Sequence, residues 1–180
     1  MENYLDLANN IRNCKITFPL VHDLWDVFDD EIKTFINSKA WREFKYLNNG
    51  EINTDIENVP RNKGGIYCFY IRSQILLDNH SFLIYVGRAH CPSGNNLRDR
   101  IRTYHKKAID RPKLGQMFNE WGDNIYCRYL PIQESDKLGV KQGDDLIDLI
   151  EAEMINKLLP PANSKIPDIK ISQALTAAFA

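Results

Sequence analysis

Residues 65–88 read GIYCFYIRSQILLDNHSFLIYVGR, and two short apolar runs within them, residues 66–71 and 82–86, decide the fold. Both runs are rich in aromatic and β-branched side chains, which suit a pleated, half-buried surface, and the turn-forming Asp78-Asn79-His80-Ser81 separates them. The pattern predicts an antiparallel hairpin. In the first run Ile66, Cys68 and Tyr70 alternate with Tyr67, Phe69 and Ile71, so both faces of the strand are largely apolar. Such a strand belongs at the centre of a sheet, covered on both sides.

Toward the C-terminus, a polar loop over residues 91–96 leads to Leu97, Ile101, Tyr104 and Ala108, whose helical spacing predicts a basic amphipathic helix. A shorter helix is expected over residues 113–121, a third strand over 125–130, and a long helix over 144–159, stopped by Pro160-Pro161. Toward the N-terminus, residues 60–65 and Asn48-Asn49-Gly50 have turn chemistry. Further upstream Leu20, Leu24, Phe28, Ile32 and Phe35 are spaced by four, four, four and three residues, which places them on one helical stripe that Trp25 and Trp41 are expected to dock. The expected architecture is α+β: a small three-stranded antiparallel sheet flanked by helices at residues 61–165, an N-terminal helical arm at 1–60, and an unpatterned C-terminal tail at 166–180.

Composition narrows the class. A chain of 180 residues, 43% apolar and 26% charged, has the make-up of one ordinary globular domain with an appendage. No apolar run approaches the roughly 18 residues that span a bilayer, and the first residues lack a secretory pattern, so the expectation is a cytoplasmic protein away from membranes. Cys14, Cys68, Cys91 and Cys127 show no CxxC spacing, which argues against a zinc knuckle or a disulfide framework. The net charge of −1 carries no overall nucleic-acid signature. Locally, however, Arg88, Arg98, Arg100, Arg102, Lys106, Lys107, Arg111 and Lys113 face only Asp99 and Asp110 along the same stretch. That stretch is either a solvated helix face or a surface for a polyanion.

Two positions carry chemistry. Glu151 has Ile147, Met154, Ile155 and Leu158 at i−4, i+3, i+4 and i+7, so it projects from the apolar stripe of its helix. A carboxylate there needs a salt-bridge partner or a metal ion, and the spacing leaves both open. Glu153, with Asn156 and Lys157 as helical neighbours, reads as an ordinary exposed residue. On the basic helix Arg100, Tyr104, Lys107 and Arg111 fall on one line at i, i+4, i+7 and i+11, a stripe suited to a phosphate backbone. Arg100 lies nearest the apolar face and is the strongest functional candidate of the four.

Taken together, these residues resemble a known family. Gly65-Ile66-Tyr67 and Tyr85-Val86-Gly87 are similar to the two name-giving motifs of the GIY-YIG nucleases, and Leu97-Arg98-Asp99-Arg100 is similar to their LxxR helix start. Glu151 precedes Asn163 by a spacing seen in many members, and Pro160-Pro161-Ala162-Asn163 resembles their Pro-x-x-Asn close. The resemblance covers residues 64–165, with the motifs in register along a matching order of strands and helices.

The resemblance implies a metal-dependent endonuclease that hydrolyses DNA phosphodiester bonds with one Mg²⁺, for which Mn²⁺ may substitute. It implies that Tyr67 activates or orients water, Tyr85 binds the scissile phosphate or its water, Arg100 neutralises the transition state, Glu151 holds the metal, and Asn163 orients ligand groups. The family often has a His four residues after the catalytic Arg. Here Tyr104 holds that position and His105 follows, so either is a candidate to assist. Arg88, Arg98, Arg102, Lys106, Lys107 and Arg111 are the expected DNA contacts. Without a zinc finger or a second catalytic module, the chain most resembles a stand-alone type II restriction enzyme or related defence nuclease acting on double-stranded DNA, and a palindromic target would favour a homodimer. The alternatives are a structure-specific or low-specificity repair or antiviral nuclease, and a catalytically silent DNA-binding module.

Overall fold

The computed structural model describes residues 4–13, 15–73, 75, 80–91, 95–106 and 112–178. Its centre is the expected hairpin, β4 (Gly65–Arg72) and β5 (Ser81–Ala89), paired antiparallel with a bulge between Phe69 and Tyr70. The third expected strand, β6 (Ile125–Pro131), pairs antiparallel with the other edge of β4, leaving β4 enclosed as its two apolar faces require. Of the turn residues between β4 and β5, Asp78 and Asn79 lie outside the described residues.

The sheet has four strands rather than three. β1 (Arg42–Lys45), within the stretch expected to be a helical arm, pairs antiparallel with β6 and gives the order β1-β6-β4-β5. Three of its four residues are charged, which hid it from hydrophobic patterning; Phe44 alone is buried, and Glu43 ties the strand to its neighbours through arginines. Next to it, β2 (Leu47–Asn48) and β3 (Glu51–Ile52) form a small hairpin around Asn49-Gly50. The φ angles of 53° and 79° at Asn49 and Gly50 match the left-handed turn this dipeptide favours.

The single stripe expected near the N-terminus is also divided. Helices α1 (Tyr4–Asn13), α2 (His22–Asp26) and α3 (Asp30–Ser38) precede β1. Asp29 caps α3 by accepting the Ile32 N–H at 2.9 Å, which starts a new helix and breaks the run. Ile32 and Phe35 are buried, whereas Leu20 is 70% exposed. Trp41 donates its indole N–H to the Ile36 carbonyl at 3.0 Å, while Trp25 stays largely exposed.

Two layers cover the sheet. On one face Tyr67, Phe69 and Tyr85 pack with α4 (Leu97–Lys106) and α5 (Pro112–Trp121). On the other, Ile66, Cys68 and Val86 pack with α3 and the long helix α6 (Gly143–Leu158). A short hairpin, β7 (Lys137–Leu138) and β8 (Lys141–Gln142), precedes α6, and the tail left unassigned by patterning forms α7 (Ile169–Ala178). Glu153 accepts the Asp29 backbone N–H at 2.9 Å, so this residue joins α6 to the cap of α3 instead of pairing along its own helix.

Candidate active site

Strand alternation decides where the site lies. Tyr67 and Tyr85 face α4, whereas Arg88 falls on the α6 face, and the two sets meet around the outer edge of β5. A cleft of about 810 Å³ opens there, lined by Tyr67, Tyr85, Arg88, Arg100, Glu151 and Asn163 among others.

Three phenols cluster at the cleft floor, where Tyr67 and Tyr85 line the cleft and Tyr104 bonds to both. Tyr67 donates its hydroxyl hydrogen to the Tyr104 oxygen at 2.7 Å, and the Tyr85 and Tyr104 hydroxyls are 2.8 Å apart. Burial, followed by repulsion from the neighbouring phenols, holds the Tyr67 hydroxyl well above the usual phenol range, although Arg100 opposes this. Tyr67 is therefore a neutral phenol here. Gly87 makes room for it: a Cβ at that position would lie 2.6 Å from the Tyr67 Cζ and hydroxyl oxygen and 2.7 Å from the Tyr85 ring. The geometry separates the two candidates that follow Arg100. Tyr104 joins the phenols, and its ring lies 5.9 Å from the Arg100 guanidinium carbon, while His105 is among the residues that line a separate cavity with Leu47, Phe118 and Trp121.

Glu151 reaches the cleft from α6 with its side chain 14% exposed, and its Oε2 accepts from Arg88 Nη1 at 2.5 Å. The salt bridge that the sequence left open is present. Arg88 also places Nε 3.0 Å from Asp148 Oδ1, and His90 Nε2 lies 2.5 Å from the same oxygen. Burial raises the Glu151 carboxyl above its ordinary value; Arg88 opposes and Asp148 adds to the rise. Among the described residues no group of three or more His, Cys, Asp or Glu side chains is arranged around a common ion position. The donor chemistry at Glu151 fits a hard divalent cation that keeps most of its waters, since such an ion takes one or two carboxylates together with substrate phosphate oxygens.

Asn163 does not direct its amide at the cleft. Its Oδ1 accepts the Val86 N–H at 2.9 Å and its Nδ2 donates to the Val86 carbonyl at 2.8 Å, while the Ala162 N–H donates to the Ile84 carbonyl at 2.9 Å. The chain after α6 thus clasps β5 and fixes Tyr85 between two anchored residues. Arg98 and Arg102 are likewise engaged internally. Arg98 donates to Glu57 and to the Val59 carbonyl, and Arg102 pairs with Glu57, so these cations hold the Thr54–Asn58 turn against α4. Lys107 and Arg111 lie outside the described residues, as does the side chain of Lys106. The cleft contains two further cations, Lys113 and Lys165. Lys165 was missed because it follows the proline stop in an unpatterned segment; its position two residues after Asn163 was the available signal.

No protein-family model matches this chain, and no curated protein shows significant similarity to it. Among the described residues no helix is long and apolar enough to cross a membrane.

Proposed function

We infer that the cleft hydrolyses phosphodiester bonds in nucleic acid, with DNA the expected substrate and a GIY-YIG-like nuclease the expected class. The observation that carries this reading is the convergence of Tyr67, Tyr85, Arg100 and Glu151 on one cleft from four separate elements. In the reaction a water oxygen bonds to phosphorus, the bond to the leaving oxygen breaks, and a proton reaches that oxygen. Tyr67 is fully buried and donates to Tyr104, so its oxygen keeps lone pairs, and in this reading a water brought to it with the substrate is oriented by a neutral phenol. Arg100 supplies fixed positive charge where the transition state gains negative charge. Glu151 would hold Mg²⁺ or Mn²⁺, and the bound ion supplies charge neutralisation at phosphate oxygens. Arg88 shares that carboxylate and opposes the rise that burial imposes on it.

Restriction-like sequence-specific cutting of duplex DNA by a homodimer is the finer form of this reading and rests on the motif resemblance. Supercoiled plasmid incubated with Mg²⁺ or Mn²⁺ tests both levels. Cleavage is expected from the wild type and is expected to fall on the order of a hundredfold or more in Tyr67→Phe, Arg100→Ala and Glu151→Gln. Discrete fragments indicate sequence-specific cutting and a smear a low-specificity nuclease. A folded wild type that cuts neither DNA nor RNA would leave a silent binding module as the better description.

A further inference from the structure

Beside the cleft lies a smaller cavity of about 230 Å³, and the two share Lys113. Lys15 from the segment before α2 lines this annex, together with Ile16, Met117 and Trp121. Pro161 contributes to it as well, directly before the Ala162-Asn163 clasp that borders the main cleft. Lys165, Arg88, Arg100 and Lys113 therefore line the cleft, and Lys113 is shared with the annex that Lys15 lines. Lys15, Lys113 and Lys165 are exposed and have no acidic partner among the described residues, unlike Arg98 and Arg102. Exposed ammonium groups around an aromatic and apolar floor are the combination that holds a single nucleic-acid strand, with phosphates on the cations and a base or sugar on the ring.

We propose that this annex is a second binding subsite, in which Lys15 and Lys113 hold the phosphates of the strand on one side of the reacting phosphate and Trp121 packs against a sugar or base. The inference rests on the nuclease reading and gives the N-terminal segment a part in substrate binding. It also makes a strand unpaired next to the cut a better ligand than continuous duplex.

The test measures binding of fluorescent single-stranded, duplex and splayed-end DNA by anisotropy in EDTA over a salt series, with cleavage measured in parallel. Lys15→Ala and Lys113→Ala are each expected to weaken binding and to reduce the slope of log K against log salt by about 0.7 to 0.9, one phosphate contact each. Lys137→Ala, on the β7–β8 hairpin and outside both cavities, is the control and is expected to leave the slope unchanged. The splayed substrate is expected to bind most tightly. If the wild type binds and cuts while Lys15→Ala and Lys113→Ala behave like Lys137→Ala, the annex is refuted and the nuclease reading stands. If duplex binds as tightly as the splayed substrate, the unpaired-strand assignment is refuted. If the wild type binds no nucleic acid, both readings fall together.

Discussion

Glu43 and Glu151 are both partly buried carboxylates that face arginine, yet their surroundings drive them in opposite directions. Glu43 accepts two parallel bonds from Arg72, at 2.6 and 2.9 Å, and a further one from Arg128 at 3.2 Å. Burial acts to raise its carboxyl, but the two guanidinium groups outweigh it and hold the group below its ordinary value. Among the described residues Glu151 forms its ion pair with Arg88, which divides its donors between Glu151 and Asp148, and His90 adds a smaller attraction. Burial prevails there, and the carboxyl is raised. The first arrangement is a completed ion triad that fastens β1 to the sheet. The second is an incompletely compensated charge at the mouth of a cleft, which an added cation would stabilise.

The contrast is sharpest in activity. Glu43→Gln is expected to cut plasmid at close to the wild-type rate, against the loss of on the order of a hundredfold expected for Glu151→Gln; equal losses in the two variants would end the comparison. In stability the order reverses. Removing the charge at Glu43 breaks a bidentate pair and is expected to cost about 1 to 2 kcal/mol, read from urea midpoints at neutral pH.

A smaller effect separates the two by pH. The folded value of Glu43 lies below its ordinary 4.5, so its contribution is present above that pH and is lost as pH falls through the lower folded value. Glu151 has a folded value above 4.5, so the folded protein binds that proton more tightly than the unfolded chain, and ionisation costs stability as pH rises from 4.5 upward. The urea midpoint of Glu151→Gln, which mimics the protonated acid, should match the wild type in acid and exceed it progressively above 4.5. The deficit of Glu43→Gln should shrink as the solution is acidified. The smallest effect is expected at Glu57, which also faces two arginines but is 56% exposed. Its change to Gln should cost no more than about 0.5 kcal/mol, and a loss as large as that of Glu43→Gln would show that burial does not set the difference.

The hairpin, α4, α5, β6 and α6 were legible because their apolar residues repeat at the strand or helix period over several turns or alternations. β1 was not, because its charged residues act through tertiary partners: Glu43 meets Arg72 and Arg128 far along the chain. The same limit applies to the basic stripe. Arg98 and Arg102, expected as nucleic-acid contacts, also pair with Glu57, a partner far along the chain that no local pattern shows. Glu151 stood out because a carboxylate on an apolar stripe violates a local rule, and the fold supplies the partner that makes it tolerable and places it on the cleft. The choice between Tyr104 and His105 needed the sheet, since only the packing of α4 on β4 and β5 decides which ring meets Tyr67.

The clasp on β5 has a further consequence, for solubility. β5 is an outer strand of the sheet, and the backbone groups of Ile84 and Val86 would otherwise form an open edge. Such an edge templates the addition of a strand from another molecule, the route by which sheet proteins aggregate. Three hydrogen bonds from Ala162 and Asn163 occupy it with two residues that form no strand of their own. The segment that holds Tyr85 in place also ends the sheet, and a chain that lost it would expose β5 as an adhesive edge.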